Sequence, residues 1–79
     1  MGLVYYDEVV KATKKFIFQV EQDCEGFLVT AFTYRKFGDR DYTLMSSGVW
    51  RSQDKEGLKG LACMRSRQGK KFQKEYFSS

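Results

Sequence analysis

The chain has 79 residues, 42% of them hydrophobic and 16% aromatic. That is enough for one small core and too apolar for a disordered segment. It carries a net charge of +4, two cysteines, and neither proline nor histidine, so the usual general base near neutral pH and the usual zinc sites are both excluded.

No apolar run reaches the roughly 18 residues of a membrane span. The start, Met1-Gly2-Leu3-Val4-Tyr5-Tyr6-Asp7-Glu8, lacks the basic and apolar regions of a secretory signal. The expectation is a cytoplasmic chain with no membrane partner, in which Cys24 and Cys63 are free thiols.

In chain order, Tyr5 to Lys15 predicts a short helix. Tyr6, Val9, Val10, Thr13 and Phe16 recur at helical spacing, and Asp7 and Glu8 suit the positive end of a helix dipole. Phe16 to Asp23 reads as a strand, with Phe16, Phe18 and Val20 alternating against Gln19 and Glu21. Asp23-Cys24-Glu25-Gly26 has the chemistry of a turn. Phe27 to Tyr34, rich in β-branched and aromatic residues, reads as the returning strand.

Arg35 to Asp41 is a charged connection centred on Gly38-Asp39. Tyr42 to Trp50 predicts a third strand, with Gly48 marking a bulge or a close approach of backbone. Ser52 is a candidate N-cap, followed by Leu58, Leu61 and Ala62 on one helix face. Gly57 and Gly60 would let that helix lie close on the sheet. Gly69 would stop it.

The expected fold is therefore α+β: a short N-terminal helix, a three-stranded antiparallel sheet, a helix packed on one face, and a short C-terminal element. Residues 1–79 form a single small domain in this reading, with residues 70–79 as a loosely ordered basic tail.

Charge divides the chain. Residues 1–50 hold six Lys/Arg against seven Asp/Glu, a net of −1, while residues 51–79 hold eight against three, a net of +5. Arg51, Lys55, Lys59, Arg65, Arg67, Lys70, Lys71 and Lys74 would form a nucleic-acid-binding surface, with Tyr76 or Phe77 available to stack on bases. Gly57-Leu58-Lys59-Gly60 matches the G-x-x-G pattern of KH domains, although its flanks read as one helix, where glycine serves packing. The α-β-β-β-α order resembles that of double-stranded RNA-binding domains, which would put Arg51, Lys55 and Lys59 near the start of the second helix.

The alternative is a protein-binding regulator or a small homodimer, using an aromatic sheet face. Phe16, Phe18, Phe27, Phe32, Tyr34, Tyr42 and Trp50 lie on predicted strands, and helices cover one face of a sheet, so the remainder would be left open. Tyr34, Trp50 and Tyr76 are the candidate interface anchors, and an acidic protein surface is the candidate partner for the basic half.

Lys15-Phe16 through Val20-Glu21-Gln22-Asp23 and Glu25-Gly26-Phe27 resembles the opening hairpin of HicB-type antitoxins. That resemblance covers the hairpin and implies a small inhibitor-like or antitoxin-like chain that blocks another protein. Catalysis is not expected: Ser46-Ser47 has no partner constellation, and Glu21, Asp23 and Glu25 lack the spacing of a cation loop. No cofactor or metal is expected.

Overall fold

Four extended segments between Gly2 and Ser52 fold into one sheet. A computed structural model describes residues 2–77. Strands β1 (Gly2–Lys11), β2 (Lys14–Asp23), β3 (Gly26–Lys36) and β4 (Tyr42–Ser52) form an antiparallel meander in the order β1-β2-β3-β4. Two short helices follow, α1 (Lys55–Lys59) and α2 (Arg67–Phe77), with a 3₁₀ turn (Ala62–Arg65) between them.

Register assigns the two faces. Phe18 faces Asp7 and Ala31, Val20 faces Tyr5 and Val29, and Val29 faces Trp50. These residues point to the side that the helices cover. Phe18, Val20, Phe27, Val29, Leu58, Cys63, Met64 and Phe72 make the buried core. Phe72 of α2 is its centre, with its ring 4.9 Å from Tyr5, 6.0 Å from Phe18 and 5.1 Å from Tyr76.

Polar contacts lock α2 in place. Asp7 accepts from Gln68 Nε2 at 3.1 Å and from Lys71 Nζ at 3.1 Å, and the Gln68 amide also reaches the Phe16 carbonyl at 3.2 Å. Ser66 caps the helix by accepting from the Gly69 N–H at 3.0 Å.

The expected N-terminal helix is instead strand β1, and the sheet has four strands rather than three. Tyr5-Tyr6 and Val9-Val10 favour extended backbone, and pairing with β2 supplies the hydrogen bonds a short helix would have made internally. The turn that joins β1 to β2 is Ala12-Thr13, between the paired Lys11 and Lys14, with Ala12 at φ 55. An alanine in that conformation carries no turn signature, which is why helical spacing looked plausible across it. With β1 a strand, the order is β-β-β-β-α-α, and the double-stranded RNA-binding comparison loses its first helix.

The C-terminal half also differs. One helix after Ser52 becomes α1, the 3₁₀ turn and α2. Asp54 is the N-cap of α1, accepting from Gly57 N–H at 2.8 Å, while Ser52 donates to the Asp54 carbonyl. Gly69 lies inside α2, where an added Cβ would run into the Cys63 carbonyl and Met64. Residues 70–77 of the expected loose tail belong to α2, and Ser78 and Ser79 lie outside the described residues. Gly48 provides a close approach, since the Trp50 ring lies across it. The bulge of β4 is nearby, where Leu44 and Ser46 face consecutive residues Tyr34 and Thr33.

Candidate interaction surfaces

Among the described residues, no element lies over the second face of the sheet. Alternation places Tyr6, Glu8 and Val10 of β1 there, with Lys15, Ile17, Gln19, Glu21 and Asp23 of β2. From β3 come Leu28, Thr30, Phe32, Tyr34 and Lys36, and from β4 Tyr42, Leu44, Ser47, Val49 and Arg51. Both alternating sets of β3 are thus apolar, one for the core and one for this face. Val49 is 64% exposed, Leu44 50% and Tyr6 48%. Ile17, Leu28, Phe32 and Tyr34 are half-buried. Scattered exposed hydrophobics are ordinary, but a contiguous patch across four strands is the mark of a contact surface.

Charge on this face is sorted along the strands. At the tip, next to the Ala12-Thr13 turn, Lys15 places its ammonium 4.4 Å from the Tyr42 ring centre and 5.1 Å from Tyr34, and Lys36 lies 6.0 Å from Tyr42. At the other end, Glu21, Asp23 and Glu25 gather around the β2–β3 turn. Arg51 joins them, 3.5 Å from Asp23 and 3.8 Å from Glu25. Tyr6 donates to Glu8 at 2.9 Å, and that carboxylate holds the phenol above its ordinary pKa.

The residues proposed for nucleic acid fall into three groups. Arg51 sits on the open sheet face, paired with carboxylates, and leaves the basic set. Lys55 and Lys59 lie over the rings of Tyr76 and Phe77 at 5.6 and 4.8 Å, Lys59 also being 3.8 Å from Glu56, and Lys71 is bound to Asp7. Arg67, Lys70 and Lys74 share the outer face of α2, with Arg65 just before it, and none of the four has a carboxylate within 4.0 Å among the described residues. Lys59, Lys70, Gln73, Lys74 and Phe77 line a shallow open cleft beside this strip.

The aromatics meant for stacking point inward. Tyr76 lies flat against Phe72 at 5.1 Å and 19°, and Phe77 packs edge-on against both. The proposed anchors also separate: Tyr34 is on the open face, Trp50 packs against the core from the covered face, and Tyr76 is in the helix layer.

Phe32 was among the aromatics expected to leave an open face, whereas Ile17, Leu28, Leu44 and Val49 were not singled out by sequence as contact residues. Their signal was present in the apolar character of both alternating sets, but it reads as a contact surface only once one face is known to be open. Burial pushes the Cys63 thiol up from its ordinary pKa, whereas Cys24 is exposed in the β2–β3 turn. Among the described residues, no three of Cys, Asp or Glu gather closely enough to hold a metal ion, and no helix is long and apolar enough to cross a membrane.

No family model matches this chain, and neither a curated protein nor a solved structure matches it. The hairpin resemblance to HicB-type antitoxins therefore gains no support from a family match.

Proposed function

We propose that this chain is a non-enzymatic protein-binding module whose open sheet face is the contact surface. The observation that carries the reading is the unpaired apolar field formed by Ile17, Leu28, Phe32, Tyr34, Leu44 and Val49, rimmed by charge. Burying such a field returns about 25 cal/mol per Å² of apolar surface. The aliphatic share favours protein over nucleic acid, because bases stack on aromatic rings and Val49 and Leu44 offer none.

A photoreactive amino acid placed at position 49 tests this in the cells that make the protein. A covalent adduct to any protein, itself included, is expected, with no adduct from the same probe at exposed Gln53. Absence of an adduct at position 49 overturns the reading.

A second surface has its own observation. Arg67, Lys70 and Lys74 on α2, with Arg65 just before it, form a basic strip unpaired among the described residues and suited to a polyanion such as nucleic acid. Fluorescence anisotropy of labelled single- and double-stranded DNA and RNA at two salt concentrations tests it. Neutralising about three phosphates on duplex DNA predicts a log–log salt slope near −3. No binding at low salt removes this surface.

A further inference from the structure

We infer that the occupant of the open face is a second copy of this chain, laid with its strands antiparallel about a two-fold axis that runs across the strands. The inference rests on the docking-face reading above and specifies its partner.

The pattern of the face is what selects a copy. Along β2, Lys15 lies at the tip and Glu21 six residues on, with Ile17 and Gln19 between them. A two-fold axis across the strands at the middle of the sheet exchanges the two ends. It sets Lys15 of each copy over Glu21 of the other, both contacts on β2, and brings Lys36 over the Asp23 and Glu25 corner. Ile17, Phe32 and Val49 meet near the middle, and Leu28, level with Glu21, lies over Tyr34 of the other copy. The face is thus self-complementary, which is what an isologous two-fold contact requires.

The other in-plane axis, parallel to the strands, is disfavoured by the same charges. It would lay tip on tip, with Lys15 and Lys36 of the two copies converging and the acidic corners doing likewise. Sheets packed face to face keep their strands within about 30° of alignment, so the antiparallel arrangement is an ordinary sandwich.

Area is sufficient as well. Strands of ten and eleven residues give a face about 35 Å long at roughly 3.3 Å per residue, and four strands spaced by about 4.8 Å make it about 19 Å wide. The corrugated side-chain surface over that footprint exceeds its flat area of about 650 Å² and approaches the roughly 800 Å² per partner that a stable complex buries. The helix layers, with their basic strips, would face outward on both sides.

Sedimentation velocity of the purified chain tests the inference. At about 100 μM, where a micromolar complex is saturated, the expected species has twice the 9.3 kDa chain mass. Lys15→Glu alone sets glutamate over Glu21, and Glu21→Lys alone sets lysine over Lys15. Each should weaken self-association at least about tenfold. Mixing the two variants should restore a dimer, because every contact is again between opposite charges, and that recovery also shows that both variants fold.

A wild-type chain that stays monomeric at this concentration overturns the second copy. If the probe at position 49 then captures a different protein, the docking-face reading stands without it. A dimer that Val49→Asp, Lys15→Glu and Glu21→Lys all leave intact overturns both. Recovery that fails on mixing, with both variants folded by circular dichroism, overturns the antiparallel arrangement.

Discussion

The two faces of this sheet are made by the same four strands and are nearly alike in apolar content, yet only one is closed. On the covered side, Phe18, Val20, Phe27 and Val29 meet Leu58, Cys63, Met64 and Phe72, and the helix layer is held by Asp7 through Gln68 and Lys71. On the other side, Ile17, Leu28, Phe32 and Val49 form a comparable field that no element covers among the described residues. Strand alternation writes an apolar set on each face; only the number of covering elements decides which set becomes core. A chain of this size has helix enough for one side.

Substitutions that separate the faces should differ most in stability. Phe72→Ala on the covered side should cost about 3–5 kcal/mol, a large share of the total stability of a small domain, and urea unfolding should show it as a strongly lowered midpoint. Gly69→Ala should cost about 1–3 kcal/mol. Alanine is the better helix former, but its methyl group would meet the Cys63 carbonyl, and a gain in thermal midpoint would show that α2 can shift away from the 3₁₀ turn. Ala12→Gly, out at the tip, should stabilise by about 1 kcal/mol, since glycine adopts φ 55 without the steric cost that alanine bears.

A pH effect follows from Tyr5, which lies between the sheet and α2. Burial first, then the neighbouring Glu75 carboxylate, pushes its phenol up to about 12 from 10.0. The folded state therefore holds the proton more tightly than the unfolded state. The associated stability is complete below pH 10 and is lost as pH rises toward 12. Tyr5→Phe should flatten that part of the curve in urea unfolding measured across this window.

The smallest stability change is expected on the open face. Val49→Asp should alter folding by no more than about 0.5 kcal/mol while weakening whatever contact that face makes. A loss comparable to that of Phe72→Ala would show that the open face is part of the core.

Some of this architecture was readable in residues. The β2–β3 hairpin was, because Asp23 and Gly26 bracket its turn: Asp23 accepts from the Glu25 N–H at 2.8 Å, and Gly26 sits at φ 128. Strand β1 was hidden because its turn uses Ala12-Thr13, and helical spacing then claimed the same residues. The basic half was legible as charge but not as a site. Whether Arg51 meets Asp23 or solvent, and whether Tyr76 stacks on Phe72 or on a base, depends on tertiary neighbours far away in sequence. The open face was half legible: Tyr34 was marked as an anchor, while Ile17 and Val49 looked like any strand residues.

The contacts between Asp7 and the start of α2 span 61 and 64 residues, whereas every strand pairs with its immediate neighbour in the chain. During folding the meander can therefore form early, by local pairing, before Phe72 docks on it. In that interval both sides of the sheet are bare, and the folding chain presents two greasy faces instead of one. Chaperone capture or premature sheet-to-sheet association has its opening there, and the arrival of the last helical turn of this sequence marks the moment at which one of those faces is withdrawn.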